Sequence, residues 1–178
     1  MHYAMFDTAL GACGLAWNDA GVARVQLPAA EARDTRLRLA RHPNFREHAP
    51  TPTITRVIAL LQAYMRGEAA DFGWVEVDMA EADALERQVY VAARDIPWGA
   101  AISYGELAER IGLQNGARDV GHALSRNPTA IIVPCHRIVA SGGKLGGFSA
   151  PGGADTKLKL LELEGVRIGT PAGQGALF

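Results

Sequence analysis

Short apolar segments separated by turn residues make up the first part of the chain. The segments are residues 3–6, 14–17 and 22–27, and the turn signals between them are Gly11 and Asn18-Asp19. Short runs of this kind, bounded by Gly, Asn and Asp, are typical of strands joined by tight turns. The pattern predicts an antiparallel sheet of two or three strands.

A helical period replaces the strand pattern in the next part of the chain. Residues 29–41 are rich in the helix formers Ala, Arg and Leu, whereas residues 43–52 predict a loop. A capped helix with an apolar stripe is predicted over residues 51–67. Residues 72–79 alternate between apolar and polar side chains and predict another strand, and the acidic segment 78–86 predicts the connection to a second domain.

From residue 85 the sequence predicts helices and tight turns. An amphipathic helix over residues 85–95 is followed by a capping box, Ser103-Tyr104-Gly105-Glu106, that opens a short helix. A turn at residues 112–116 then leads to a second helix over residues 117–126. A helix, a Gly-containing turn and a helix form the geometry that places a second helix in a DNA groove, although many helical hairpins bind no nucleic acid.

The segment Pro134-Cys135-His136-Arg137 directly follows a buried apolar run, Ile131-Ile132-Val133. A Gly-rich loop over residues 141–153 comes next, and a last helix is predicted over residues 155–164. The loop does not form a phosphate cradle, because no Gly-Lys-Ser/Thr motif is present. The apolar run predicts a strand that delivers the Cys135 thiol to the floor of a pocket.

Length and composition indicate a folded protein, and the predicted strands and helices place it in the α/β class. The chain has 178 residues, 48% of them hydrophobic, and we predict two domains, residues 1–84 and residues 85–178. The two cysteines, Cys13 and Cys135, form neither a Cys-x-x-Cys motif nor a Cys/His cluster, so we expect no disulfide, no metal and a reducing, cytoplasmic environment. No secretory signal or membrane-spanning segment is evident, so we expect no membrane partner.

Charge is distributed unevenly between the two predicted domains. The formal net charge of the chain is -1, which excludes a polycation that coats nucleic acid unspecifically. Residues 1–84 contain 8 Lys/Arg and 11 Asp/Glu, a net charge of -3, whereas residues 85–178 contain 10 and 8, a net charge of +2. An anionic partner would therefore prefer the C-terminal half.

Cys135 is the candidate nucleophile, since His136 and Arg137 adjoin it. A cysteine reacts as the thiolate, which needs a proton acceptor or a positive charge nearby. Adjacent residues of an extended segment point in opposite directions, so a direct bond from Cys135 to His136 requires a turn, and a bridging water is the alternative. An inert, buried cysteine is the competing interpretation, and we assign Cys13 no chemical role.

Several motifs in order resemble the O6-alkylguanine-DNA alkyltransferases. The central match is residues 131–139 around Cys135, preceded by residues 118–121 and Asn127-Pro128, and followed by residues 146–149 and Leu163-Glu164-Gly165. The resemblance is continuous over about residues 85–168, and it is looser at the N-terminus through Phe6-Asp7-Thr8. Several motifs at matching spacings are far more specific than one tetrapeptide.

The resemblance implies both a fold and an activity. The fold is a ribonuclease-H-like N-terminal domain and a winged-helix-like C-terminal domain that contains a helix-turn-helix. The activity is direct-reversal DNA repair by a monomer without a cofactor. Double-stranded DNA with an O6-alkylguanine is the partner, and O4-alkylthymine is a further candidate lesion. The base is flipped out of the duplex, and its alkyl group moves irreversibly onto a cysteine, so one molecule repairs one lesion.

The resemblance also assigns roles to individual residues at the reacting centre. Cys135 is the alkyl acceptor, His136 is the base that deprotonates it through a water, and Glu164 orients that histidine. Tyr104 donates a hydrogen bond to the guanine ring, and Ser149 holds the O6 side of the base.

Further roles concern the base and the DNA. The carbonyls of Cys135 and Ile138 read the exocyclic amine of guanine. Arg118 enters the duplex in place of the flipped base, a role that suits a planar cation. Asn127 braces the helix-turn-helix against the active-site strand, and Arg137 forms a structural ion pair.

Two features depart from the family pattern. Asp119 lies where a small residue is usual, and a carboxylate near phosphates weakens DNA binding. Ser149 is followed by Ala150-Pro151, so the pocket wall differs and the accepted adduct size is open. Three alternatives remain: a sensor that binds the lesion without removing it, a thiol hydrolase that uses Cys135 and His136, and a regulatory DNA-binding protein.

Overall fold

The N-terminal meander is present in the computed structural model, which describes residues 1–41 and 44–168. Strands β1 (His2–Thr8), β2 (Gly11–Asn18) and β3 (Gly21–Gln26) pair consecutively in antiparallel fashion. Gly21 begins β3 at a φ of 130°, a conformation that is accessible to glycine and strained for other residues. The prediction of antiparallel strands over the first 27 residues is confirmed.

A fourth strand makes the sheet mixed. Strand β4 (Arg46–Glu47) pairs in parallel with β1, and the strand order is β3-β2-β1-β4. The prediction of a loop over residues 43–52 was therefore wrong at these two positions, and so was the expectation of a wholly antiparallel sheet. Two exposed polar residues carry no hydrophobic alternation, so their pairing depends on the open edge of β1 and leaves no sequence signal.

Two helices accompany the sheet. Helix α1 (Ala32–Ala40) falls within the predicted range, and α2 (Pro52–Met65) begins where the sequence indicates. The Thr51 side chain accepts a hydrogen bond of 3.3 Å from the backbone amide of Ile54, which satisfies one of the amides left unpaired at a helix N-terminus. The apolar stripe of α2 faces the core, with Val57, Leu61 and Tyr64 buried.

The strand predicted over residues 72–79 is absent. This segment is a series of turns with one isolated bridge, between Val22 and Val77. The Arg94 guanidinium donates hydrogen bonds to the carbonyls of Phe72, Gly73 and Val75 at 3.0, 3.2 and 2.8 Å. These carbonyls bond to one side chain instead of to a neighbouring strand, which explains why an alternating pattern did not produce a strand.

The C-terminal part begins with three helices. Helix α3 (Ala84–Arg94) is followed by strand β5 (Ile102–Ser103), α4 (Tyr104–Arg110) and α5 (Ala117–Ser125). The capping box predicted at Ser103 and Glu106 is present, and a second one joins Asp83 to Glu86 at the start of α3. The Tyr90 hydroxyl of α3 donates to the Ala123 carbonyl of α5 at 3.1 Å and ties these two helices together.

The approach to Cys135 is a turn and not the predicted strand. Ile131 has a φ of 76°, which reverses the chain, and Cys135–Arg137 forms a single turn of 3₁₀ helix. Strand β6 (Ile138–Val139) then pairs in parallel with β5, and helix α6 (Gly153–Leu163) completes the described fold. The left-handed conformation of Ile131 interrupts any extended run, so the apolar residues are buried by the turn instead of by a sheet.

One hydrophobic core joins the sheet and the helices. It contains Leu15 and Trp17 of β2, Tyr64 of α2, Val89 of α3 and Ile132 of the turn before Cys135. Within residues 1–41 and 44–168, no helix is long and apolar enough to cross a membrane. After the helix predicted over residues 155–164, the sequence predicts a frayed tail up to Phe178, and the part of it beyond position 168 lies outside the described residues.

Candidate active site around Cys135

The Cys135 side chain lies at the floor of a cavity of about 460 Å³. Helix α5 forms one wall, the loop with Gly147, Phe148 and Ser149 forms another, and Tyr104 of α4 completes the lining. Cys135 is only 8% exposed. A cavity of this volume is large enough for a small organic ligand. Among the described residues, Cys135 is the only cysteine that lines it.

His136 is fully buried and is held by two oxygen atoms. Its Nε2 atom lies 2.8 Å from Glu164 Oε1 and 3.0 Å from the Tyr64 hydroxyl. That hydroxyl in turn donates a hydrogen bond to Glu164 Oε1 at 2.8 Å. Because the Tyr64 hydroxyl donates its proton to the Glu164 carboxylate, it can only accept a hydrogen bond from His136. The imidazole proton is therefore assigned to Nε2.

The other ring nitrogen of His136 has no hydrogen-bond partner among the described residues. It is Nδ1, and it is buried. Burial lowers the pKa of His136, although the hydrogen bond with Glu164 opposes that effect, so the resting imidazole is neutral. No direct hydrogen bond joins the Cys135 and His136 side chains in the described structure. A neutral imidazole with an unprotonated Nδ1 can accept a proton from the neighbouring thiol, directly or through a water.

Glu164 is the charged centre of this network. Burial raises its pKa, but hydrogen bonds from His136 and Arg137 more than offset that effect and lower the pKa to about 2. The Arg137 Nε atom lies 2.8 Å from Glu164 Oε2, and the amide of Gly99 donates to the same oxygen at 3.3 Å. Arg137 also binds the Ile96 carbonyl. The carboxylate therefore stays ionised in a buried position because several donors surround it.

The Cys135 thiol is protonated at rest. Burial raises its pKa, whereas Asn127, the charge of Lys157 and the backbone amides of Cys135 and His136 lower it to a smaller extent. Burial prevails because few atoms around the sulfur can solvate a negative charge. The thiol therefore needs a base before it can attack, and a protonated thiol also resists oxidation.

Lys157 is a site residue that the sequence analysis missed. It is fully buried on α6, and its Nζ atom donates to the Ile138 carbonyl at 2.6 Å, the Gly147 carbonyl at 3.2 Å and the Tyr104 hydroxyl at 3.4 Å. Burial lowers its pKa to about 8, and the nearby Cys135 acts in the opposite direction. This is a cation poised to lose its charge near neutral pH, beside the thiol.

Tyr104 of α4 forms part of the cavity wall. Its hydroxyl lies 3.4 Å from the Gly147 carbonyl, and its ring packs closely on two glycines. A Cβ on Gly146, which has a φ of 74°, would lie 3.1 Å from the ring. At Gly121 of α5 the distance would be 3.7 Å. The glycines therefore let the loop and the helix approach this ring closely.

Asn127 supports the turn before Cys135. Its Nδ2 atom donates to the Val133 carbonyl at 3.0 Å, and its Oδ1 atom accepts from the Thr129 amide at 3.0 Å. Ser149 is exposed in the cavity wall. Ile138 is not part of the cavity lining, and its carbonyl accepts a hydrogen bond from Lys157. Arg118 is exposed on the first turn of α5, outside the cavity lining.

Other candidate chemistry is limited in the described structure. Across residues 1–41 and 44–168, no group of three or more His, Cys, Asp or Glu side chains is placed to hold a metal ion. Burial raises the pKa of Cys13 to about 12, and the hydrogen bond between Cys13 and Thr8 only partly offsets this effect. Cys13 is therefore an unreactive thiol at neutral pH.

Comparisons with known proteins give a consistent result. Residues 84–166 match the family model described as the DNA-binding domain of 6-O-methylguanine DNA methyltransferase. A methylated-DNA–protein-cysteine methyltransferase of Mycobacterium bovis is 36% identical over 165 residues, which are 92% of this chain and 92% of that protein. The corresponding Mycobacterium leprae protein is 46% identical over 107 residues, which are 60% of this chain and 62% of that protein.

Comparison with solved structures leads to the same family. The crystal structure of Mycobacterium tuberculosis OGT in complex with DNA matches with a TM-score of 0.75 and 34% sequence identity, over 92% of each chain. Identity above 30% over nearly the full length, together with this structural match, establishes the relationship. The chain belongs to the methylated-DNA–protein-cysteine methyltransferase family.

Proposed function

We propose that this protein repairs DNA by transferring an alkyl group from O6 of a damaged guanine to Cys135, and that each molecule does so once. The observation that carries the proposal is the buried Cys135 thiol at the floor of a base-sized cavity, adjacent to a neutral histidine with an unpartnered ring nitrogen. The named activity of the family members agrees with this chemistry.

The guanine must leave the duplex to react. In stacked DNA, O6 lies within the base pair, and a thiolate cannot approach the alkyl carbon in line with the bond that breaks. The cavity of about 460 Å³ above Cys135 has room for one flipped base. Double-stranded DNA is therefore the partner, and O4-alkylthymine is a second candidate lesion because its alkyl group is also on an exocyclic oxygen.

His136 is the general base of the transfer. Its Nδ1 takes the proton of the Cys135 thiol through a water, while Glu164, which holds Nε2 at 2.8 Å, stabilises the imidazolium that forms. The thiolate then attacks the alkyl carbon, the S–C bond forms, and the bond between that carbon and O6 breaks. Arg137 has a structural role here, since its ion pair keeps Glu164 ionised.

Other groups take up the charge that the guanine acquires as it leaves. The Tyr104 hydroxyl donates a hydrogen bond to the ring, and Ser149 holds the O6 side. The carbonyls of Cys135 and Ile138 accept from the exocyclic amine. The Ile138 carbonyl already accepts from Lys157 at 2.6 Å, but a carbonyl oxygen has a second lone pair for the base.

The helices α4 and α5 act as the helix-turn-helix that binds DNA. The turn between them and the pair β5-β6 suit a winged-helix-like domain over residues 85–178. Arg118 is exposed near the start of α5 and fills the space of the flipped base by stacking. Asn127, which bonds to the Val133 carbonyl, braces the end of α5 against the Cys135 turn.

The remaining assignments concern the whole molecule. Residues 1–84 form a ribonuclease-H-like domain around the mixed sheet, and their part in the chemistry is to supply Tyr64 to the His136–Glu164 pair. The protein acts as a monomer without a cofactor. A reducing cytoplasm is the suitable compartment, because a free thiol is the acceptor.

Transfer occurs once because the product cannot be reversed. The thioether formed on Cys135 has no good leaving group, so neither water nor a side chain displaces it readily. This separates the proposal from a thiol hydrolase, whose acyl-enzyme or similar intermediate is released by water and allows turnover.

The test is the intact mass of the protein after incubation with duplex DNA that contains one O6-methylguanine. We expect a gain of one methyl group that saturates at one per protein and maps to Cys135. Cys13→Ser should react normally, whereas Cys135→Ala should bind the lesion without transfer. Tight binding by the unmodified protein without any mass gain would indicate a lesion sensor, and repeated turnover would indicate a hydrolase.

A further inference from the structure

A second cavity adjoins the proposed guanine pocket. It has a volume of about 380 Å³, and four residues line both cavities: Ser125, Cys135, Phe148 and Ser149. Ala150 and Pro151, which follow Ser149 where the chain departs from the family pattern, line only the second one. The reactive cysteine therefore lies at the junction of two spaces, and the guanine fills only one of them.

The second cavity is basic. Arg24 of β3, Arg38 of α1 and Arg126 at the end of α5 contribute to its wall, together with the amide side chains of Gln26 and Asn127. No Asp or Glu of the described residues lines it. The guanine pocket, by comparison, is lined by no arginine or lysine among the described residues.

Two of these arginines, Arg126 and Arg38, differ in whether an acidic side chain compensates their charge. Arg126 is paired with Glu86 and with Asp83 on α3, so its charge is largely compensated. Arg38 is exposed and forms no ion pair with any residue of the described structure, in contrast to Arg36 on the same helix, which pairs with Glu47. Because α1 brings Arg38 to the cavity rim, it offers an uncompensated cation there.

We propose that the second cavity receives the part of an adduct beyond the reacting carbon, and that it favours adducts with a carboxylate, such as a carboxymethyl group. The inference rests on the proposed alkyl transfer to Cys135. In an in-line displacement, the sulfur, the carbon and O6 are collinear, so every other substituent on that carbon points away from this line. With guanine in the first cavity, the second one is the space left for such a substituent.

The transfer of a carboxymethyl group balances as the methyl transfer does. The Cys135 sulfur forms a bond to the methylene carbon, and the bond between that carbon and O6 breaks with its electron pair on guanine. The thiol proton, taken up by His136, is balanced by the proton that guanine gains. The products are S-carboxymethylcysteine and unmodified guanine, and no further reactant is needed.

The arginines should raise the transfer rate of the carboxymethyl adduct, because the displacement itself is slower with a negatively charged adduct. A carboxylate beside the reacting carbon repels an approaching thiolate, so without a cation a neutral adduct of equal size should react faster. A guanidinium at the cavity wall reverses that order by binding the carboxylate. Comparison of charged and neutral adducts of one shape therefore isolates the effect of the cavity.

The experiment compares three duplexes under single-turnover conditions. They contain O6-methylguanine, O6-carboxymethylguanine and O6-carbamoylmethylguanine, and the last is the neutral counterpart of the second. We expect the protein to transfer carboxymethyl faster than carbamoylmethyl. In Arg38→Gln, the carboxymethyl rate should fall about fivefold, as expected for one partly exposed charge pair, while the other two rates stay within about twofold.

Arg33→Gln is the matched control. Arg33 is also an exposed arginine of α1, it does not line the cavity, and its loss changes the net charge equally. A general loss of attraction to DNA should therefore appear in both variants and with all three duplexes. An effect confined to Arg38→Gln and to the carboxymethyl duplex supports the subsite.

The outcomes are distinguishable. If methyl transfers and carbamoylmethyl reacts as fast as carboxymethyl, or if Arg38→Gln slows all three duplexes equally, the anionic subsite is wrong while the proposed repair activity stands. If not even methyl is transferred, the proposed function fails, and the subsite fails with it.

Discussion

The Tyr64 hydroxyl of α2 donates a hydrogen bond of 2.8 Å to Glu164, which lies 100 positions later in the chain, just after α6. The same hydroxyl lies 3.0 Å from His136 Nε2. One residue of the N-terminal half thus contacts both members of the pair that would activate Cys135. Since Tyr64 is fully buried, its hydroxyl needs these partners, and they in turn are fixed in orientation by it.

Tyr64→Phe should slow methyl transfer from duplex DNA about fivefold, because one net hydrogen bond contributes about 1 kcal/mol and its loss lets the imidazole reorient. Tyr90→Phe is the control, since it removes another hydroxyl hydrogen bond, to Ala123, without touching His136. Both variants should lose similar stability in denaturant unfolding, while only Tyr64→Phe should react slowly. Equal transfer rates for the two variants would remove Tyr64 from the positioning role.

Lys157→Met should raise the pKa of Cys135, because the Lys157 charge lowers it. The measurement is the pH dependence of alkylation of Cys135 by iodoacetamide, followed by peptide mass. Where Lys157 of the wild type carries its charge, the variant should be alkylated more slowly than the wild type. The difference between the two proteins should be largest below about pH 8, since the pKa of Lys157 is lowered to about 8 and the wild type loses this charge above it.

Two controls accompany the Lys157 measurement. Lys144→Met removes an exposed lysine from the loop before α6 and should leave the curve unchanged. Cys13, with a pKa raised to about 12, should stay unlabelled in every sample. An unchanged Cys135 curve in Lys157→Met would mean that the ammonium only holds the Ile138 carbonyl and the loop.

Local signals in the sequence predicted most of the elements. The cap at Thr51 and the capping box at Ser103 act within four residues, so the starts of α2 and α4 could be placed. The strands predicted over residues 72–79 and before Cys135 failed because distant groups decide their conformation. The Arg94 side chain holds the carbonyls of the first, and the left-handed Ile131 turns the second.

At the site, too, residues with a local sequence signal could be predicted, whereas a residue whose partners are distant in sequence was missed. The Cys135-His136 sequence indicated a nucleophile beside a base, the resemblance added Glu164, and the structure places these three residues together. Tyr64 was missed because it falls in an apolar stripe, where a tyrosine looks like core although its hydroxyl needs a partner. Lys157 had a usable signal: it shares one face of α6 with Leu160 and Leu161, so a lysine stands in a buried stripe.

Acid should destabilise the protein through Glu164. Its folded-state pKa, about 2, lies below the ordinary value of 4.5, so the carboxylate stabilises the fold above about pH 4.5, and that stability is lost as the pH falls toward 2. The free energy of unfolding, measured by urea titration across this range, should fall steeply. Glu162→Gln, which changes an exposed carboxylate of α6 two positions before Glu164, should follow the wild-type curve.

Glu164→Gln should lack the contribution of this group to the acid transition. At neutral pH it should be less stable by about 3 kcal/mol, because Arg137 is left as a buried cation without its carboxylate partner. If the variant and the wild type lose stability in parallel between pH 4.5 and 2, the acid transition belongs to other carboxylates and not to the Glu164 network.

Asp119→Asn should increase the affinity for DNA. Asp119 is exposed in the first turn of α5, the proposed recognition helix, and forms no ion pair with another described residue. A carboxylate there favours the helix dipole by a few tenths of a kcal/mol, about 0.5, but repels phosphates. Removing the charge should tighten binding to duplex DNA about fivefold at low salt, and the gain should shrink as salt screens the charges.

Asp19→Asn is the control for this change, because it removes an exposed carboxylate of equal charge from the turn between β2 and β3. Fluorescence anisotropy with a labelled duplex at two salt concentrations separates the local effect from the effect of net charge. If the two variants gain equally, the repulsion is a property of the whole molecule, and α5 need not lie against the phosphates. A gain confined to Asp119→Asn places the first turn of α5 at the DNA backbone, and with it Arg118 beside the base pair that opens.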